Sequence, residues 1–122
     1  MSIKVYAFYN NKGGVGKTTL CSNASILYAE NNPETQILVI DMCPQANISQ
    51  FLLGGGKEGY ENNQKLQVAY SRRNVVGFVD WILNGNSEFK SLPKNSTYKV
   101  RASLYNESIP ENMYLIAGDS FL

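Results

Sequence analysis

Alternation between apolar and polar positions divides the chain into short buried-looking runs and helical spacings. Residues 3–9, IKVYAFY, are β-branched and aromatic and run straight into a glycine cluster, which predicts a first strand ending in a tight loop. After that loop Leu20, Ala24, Leu27 and Tyr28 recur at helical spacing until Asn31, Asn32 and Pro33, so a helix is expected over 17–30. Residues 36–41, QILVID, form a continuous apolar run closed by a carboxylate, the pattern of a strand covered on both faces. Strand, helix and strand of these lengths imply a right-handed βαβ unit and a parallel sheet.

The second half is less regular. Residues 47–53 suit a short helix, and residues 54–73, which begin GGGKEGYENNQK, read as a flexible surface loop because they are polar and rich in glycine. Val75, Phe78, Val79 and Ile82 then place one apolar face on a helix over 74–83, with Gly85 as its stop. Residues 86–112 are irregular around Pro93 and Pro110, with an edge strand expected within 98–104. Residues 113–117, MYLIA, are a further buried strand, and Gly118, Asp119 and Ser120 a turn out of it.

Composition removes whole classes of chemistry. At 122 residues the chain is sized for one domain. A formal net charge of +1 gives no overall field to draw nucleic acid or anionic lipid. The absence of histidine excludes serine-histidine and cysteine-histidine catalysis and the commonest zinc ligand. Cys21 and Cys43, with no secretion signal and no apolar run of membrane length, point to reduced thiols in a cytoplasmic protein.

One loop carries most of the chemistry. GGVGKTT joins a predicted strand to a predicted helix, the setting a phosphate-binding loop requires. Gly13, Gly14, Val15 and Gly16 would bring backbone amides to phosphate oxygens, helped by the positive end of the following helix. Lys17 would reach the β- and γ-phosphates of ATP, Thr18 would bind Mg²⁺, and Thr19 completes the loop. GGGKEG at 54–59 is no second loop of this kind, since Glu58 follows Lys57 where a hydroxyl is needed. Arg72 and Arg73 read as solvated surface, and Trp81 with the neighbouring tyrosines as core.

KGGVGKTT, with Lys12 at its front and Asn11 where the standard loop has glycine, resembles the deviant Walker A motif of the ParA and MinD family of ATPases (SIMIBI class), which also includes the nitrogenase iron protein. ILVIDMCPQANIS at 37–49 resembles the same family's second-strand motif, and MYLIAGD its third strand. The resemblance implies an α/β fold, a P-loop NTPase-like parallel sheet with flanking helices, of which residues 1–122 are the N-terminal portion. The family's Walker B strand has no counterpart up to Leu122, and neither Asp80 nor Asp119 reads as its aspartate. The fold is therefore expected to be incomplete, with exposed sheet edges.

Carried over residue by residue, the resemblance gives Lys12 to the phosphates held by a partner subunit, Lys17 to the chain's own nucleotide, and Asp41 to Mg²⁺ beside Thr18. It implies a homodimer on ATP binding, a ParB-like activator, DNA contacts through regions beyond this chain, and a role in plasmid or chromosome partitioning. Cys43 stands where the family has a second aspartate that positions the attacking water, and a thiol is a weak acceptor. Two readings thus stay open: an ATP-hydrolysing dimerisation switch, or a nucleotide-binding module with little or no turnover. Electron transfer like that of the nitrogenase iron protein would need cluster ligands that neither cysteine supplies.

Overall fold

The computed structural model describes residues 3–9, 16–69, 72–85 and 98–120. Helix α1 (Lys17–Asn31) leads into strand β1 (Ile37–Ile40), followed by α2 (Asn47–Leu52), α3 (Gly56–Val68) and α4 (Val75–Asp80). A π-helical turn, Trp81–Gly85, prolongs α4; then come β2 (Val100–Arg101), a 3-10 turn and β3 (Met113–Ile116). The sheet has the order β1-β3-β2. β1 and β3 are parallel, with Ile37 opposite Met113 and Ile40 opposite Ile116, and β2 is antiparallel to β3.

The two apolar runs pair in parallel as their sequences imply, but β1 is not covered on both faces: Val39 is buried while Leu38 and Ile40 are exposed. Val39, Val100, Met113 and Leu115 form one side of the core with Leu52, Leu53, Leu66 and Ala29 of the helices. On the aromatic side Phe78, Trp81 and Tyr98 pack together, with ring centroids 6.0 to 6.4 Å apart. Asn112, just before β3, donates its side-chain amide to the carbonyls of Ala29, Asn32 and Thr35, tying the end of α1 to the start of the central strand.

Three expectations are corrected. Residues 3–9 form no strand: Ile3, Val5, Tyr6 and Tyr9 are exposed, and β1 pairs on one edge only among the described residues. A strand exists through its ladder, and β-branched composition supplies suitability without supplying a neighbour. The βαβ unit predicted from residues 3–41 is accordingly reduced to its helix and second strand.

Residues 54–73 are not a flexible loop, because α3 occupies most of them. A Cβ built on Gly59 would lie 2.0 Å from the carbonyl oxygen of Gln50, so this glycine lets α3 press directly on α2. Leu66 and Asn63 are buried on the same helix, and Lys57 pairs weakly with Glu61 one turn on.

Helix α1 turns a different face inward from the one its spacing suggests. Leu20, Ala24, Leu27 and Tyr28 are exposed, whereas Ser22 and Ala29 are buried and Cys21 and Ile26 pack against the core. The edge strand within 98–104 shortens to Val100–Arg101, anchored by the Arg101 guanidinium, which donates to the Tyr114 hydroxyl at 2.8 Å.

Candidate functional site

Gly16 sits immediately before α1 with φ of 83°, a left-handed conformation open to glycine at no steric cost. From there the backbone enters the helix at once: Leu20 donates to the Gly16 carbonyl at 2.8 Å. Among the described residues no side chain caps this end, and the first turn holds no acidic residue. The orphan amides and the positive end of α1 are therefore not neutralised by a carboxylate of the helix itself. Lys17 and Thr18 are half-buried and Thr19 is exposed at this same turn. Lys12, Gly13, Gly14 and Val15 lie outside the described residues.

Asp41 follows β1 at its carboxyl end and is almost wholly buried, with 2% of its surface exposed. Its charge is satisfied locally. Oδ1 accepts the Cys43 amide at 3.0 Å. Oδ2 accepts both the hydroxyl of Ser49 at 2.6 Å and the Ser49 amide at 3.2 Å. Ser49 lies in the first turn of α2, so the carboxylate also faces the positive end of that helix. A buried carboxylate needs such partners, because an unpaired one would be desolvated at a cost of several kcal/mol.

Cys21 connects the two halves of the site. Burial pushes its thiol above the ordinary value of 9.0, and the proximity of Asp41 and of Cys43 pushes it further. Cys21, one turn along from Lys17, packs against the core, and α1 and β1 are in contact. Thr18 lies on α1 and Asp41 directly after β1, two elements in contact, and Cys43 is half-buried.

Sequence reasoning missed the polar residues on the far side of this end of the sheet. Asp119, read as part of a turn, is fully buried after β3. It accepts the Asn74 side-chain amide at 2.7 Å and lies 3.5 Å from the Arg72 guanidinium, which is a structural partner and not merely solvated surface. Asn74 in turn caps α4, accepting from the amides of Val76 and Gly77. Ser49 was quoted within the second-strand motif but given no role. Its one signal was position, a hydroxyl at a helix start a few residues beyond a strand-terminal carboxylate.

A family model described as an AAA domain, AAA_31, matches residues 3–122. The chain belongs to that family. AAA_31 is a family of P-loop ATPase type, whose ligand chemistry is nucleotide, generally ATP with Mg²⁺. An uncharacterized protein of Methanocaldococcus jannaschii is 35% identical over 118 residues, which are 97% of this chain and 39% of that protein. An uncharacterized protein of Pseudomonas putida is 41% identical over 58 residues, 48% of this chain and 20% of the other. An ATPase ASNA1 homolog of Entamoeba histolytica is 41% identical over 44 residues, 36% of this chain and 14% of that protein. The chain spans 39% or less of the length of these relatives. No solved structure matches.

The donor set fits a magnesium nucleotide of the kind this family holds. Uncapped amides at the start of α1 suit phosphate oxygens, the Lys17 ammonium suits their charge, and the Thr18 hydroxyl and Asp41 carboxylate are hard oxygen donors of the type Mg²⁺ takes. Among the described residues no helix is long and apolar enough to cross a membrane, and no cluster of three or more acidic, cysteine or histidine side chains forms a metal cage.

Proposed function

We propose that this chain carries the nucleotide-holding portion of an ATP-dependent dimerisation switch of the ParA and MinD type, working in plasmid or chromosome partitioning in the cytoplasm. The observation that carries the reading is the start of α1: Gly16 in a left-handed turn, uncapped amides, and Lys17 with Thr18 beside the elements that bury Asp41.

In this reading the amides of residues 13–17 bind the phosphate chain, Lys17 orients the β- and γ-phosphates, and Thr18 with Asp41 would hold Mg²⁺ through oxygen. The metal, when bound, neutralises charge on the β- and γ-phosphate oxygens. Lys12 reaches the γ-phosphate held by the second copy, in the manner of an arginine finger, so that water attack on phosphorus and departure of ADP depend on dimerisation. A ParB-like activator and DNA are the partners this switch would serve.

Cys43 favours a second reading, a nucleotide-binding module that turns over little. At this position the chain offers the Asp41 carboxylate a backbone amide and places a thiol where the resembling family has a carboxylate to orient water.

A single-turnover assay with protein in excess over ATP and Mg²⁺ tests both. Phosphate release that Lys12→Ala abolishes while ATP binding persists is the outcome expected of the switch. Tight binding without release in the unaltered chain would establish the module, and no binding at all would reject both.

A further inference from the structure

The carboxyl end of the sheet contains a hydrogen-bonded sequence that the nucleotide reading does not use. Ser49 has no solvent exposure. Its hydroxyl accepts the amide of Gly118 at 2.9 Å and donates to Asp41 Oδ2 at 2.6 Å. A serine hydroxyl has one proton. With Gly118 supplying a donor from the opposite side, that proton is committed to the carboxylate. The Ser49 amide adds a second bond to the same oxygen, whereas Oδ1 takes one bond, from Cys43.

The two oxygens of Asp41 are thereby made unequal. A carboxylate offers about four acceptor positions, two per oxygen. Oδ2 has both filled and Oδ1 has one left. Rotation that would exchange them must break the bonds of Ser49 and Cys43 together.

We propose that Ser49 is a positioning residue for Asp41, clamping Oδ2 between α2 and the end of β3 so that Oδ1 is the oxygen with capacity for a cation accompanying the nucleotide. The inference rests on the nucleotide reading for its ligand, but the clamp is a property of the chain alone. Ser49 touches neither nucleotide nor metal and acts only through the carboxylate.

The test uses the full chain and the variants Ser49→Ala, Ser49→Thr and Ser49→Cys, with two readouts. In nucleotide-free protein, amide hydrogen exchange of Gly118 and Cys43 reports the clamp. Calorimetry with ATP, without magnesium and across a magnesium series, reports its effect on the cation. In Ser49→Ala the Gly118 and Cys43 amides are expected to exchange faster, and ATP affinity without magnesium to stay near that of the unaltered chain. The magnesium concentration for half-maximal effect should rise about tenfold, the usual consequence of losing a group that orients a metal ligand. Ser49→Thr should restore both.

A folded Ser49→Ala variant with unaltered amide protection and magnesium dependence would overturn the proposal. So would an equal loss of affinity with and without magnesium, which is the mark of a merely structural serine. If the alanine variant does not fold, Ser49→Cys decides, since a thiol donates weakly: a magnesium response like that of the unaltered chain overturns the clamp, and a weakened one supports it. If the unaltered chain binds no ATP, the nucleotide reading fails separately; amide exchange then decides the clamp, with unaltered protection in the variants overturning it.

Discussion

Ser49 gives two hydrogen bonds to a single oxygen of Asp41, one from its hydroxyl at 2.6 Å and one from its amide at 3.2 Å. The pair joins the end of β1 to the start of α2 and makes one buried charge the meeting point of strand and helix. Hydrogen bonds to charged groups contribute about 1.5–3 kcal/mol each, which here offsets the cost of burying the carboxylate.

Gly59→Ala is expected to lower stability although alanine is the better helix former. The helical gain is about 1 kcal/mol. The added methyl would meet the Gln50 carbonyl oxygen at 2.0 Å, and overpacking of this sort costs about 1–3 kcal/mol or more because backbone must move. Urea denaturation should show a lower midpoint, and a higher one would mean that α2 and α3 do not touch at this glycine.

Asn74 performs two tasks, capping α4 and bonding to the buried carboxylate of Asp119. Loss of a cap costs about 1 kcal/mol and loss of a hydrogen bond to a charge about 1.5–3, so Asn74→Ala should destabilise by roughly 2–4 kcal/mol. Asn74→Asp keeps the cap but sets two carboxylates against each other and should be worse than Asn74→Ala at neutral pH. Fluorescence of Trp81, which follows α4 directly, gives the unfolding curve.

The Cys21 thiol should be a slow nucleophile. Burial is the main cause of its raised ionisation, with Asp41 next, so alkylation at pH 8 should lag behind that of a free thiol. Asp41→Asn removes the negative charge and should speed the reaction modestly without bringing it to the free rate. The same shift has a sign for stability. The thiol of the unfolded chain ionises near 9.0 and that of the folded chain higher, so its contribution is full below pH 9 and is lost as pH rises beyond it. Mass spectrometry of timed alkylation, resolved between Cys21 and Cys43, checks the reactivity, and urea denaturation above and below pH 9 checks the stability.

Lys17→Ala is expected to weaken ATP binding by about 100-fold, the loss of a charge-assisted contact to phosphate worth roughly 2–3 kcal/mol. Because Lys17 is the first residue of α1 and only half-buried, the helix should survive, and circular dichroism should be unchanged. Undiminished affinity in calorimetry would remove this residue from the phosphate site.

How far these features were legible depended on whether their cause was local. The runs ILVI and MYLI announce themselves by continuity and pair in parallel, although Leu38 and Ile40 of the first run stay exposed. The phosphate-loop reading rests on sequence, where glycine and lysine at fixed offsets have no packing purpose; Lys12 to Val15 lie outside the described residues. The helix expected over 74–83 was legible from its apolar spacing, and the structure adds that Asn74 caps it. Helix α3 was hidden, since three consecutive glycines suggest a loop and only the approach of Gln50 explains Gly59. Buried Asp119 was hidden for a similar reason: its partners Asn74 and Arg72 are more than 40 residues away. The inward face of α1 was misjudged because the helix has apolar residues on both sides and nothing local ranks them.

The amide of Asn112 reaches carbonyls 83, 80 and 77 residues earlier in the chain. Nothing near in sequence can stand in for it, so the first helix and its exit acquire their final seat only after the last strand has come home. Such distant closure carries an entropic delay. On a ribosome, the early segments would emerge and wait.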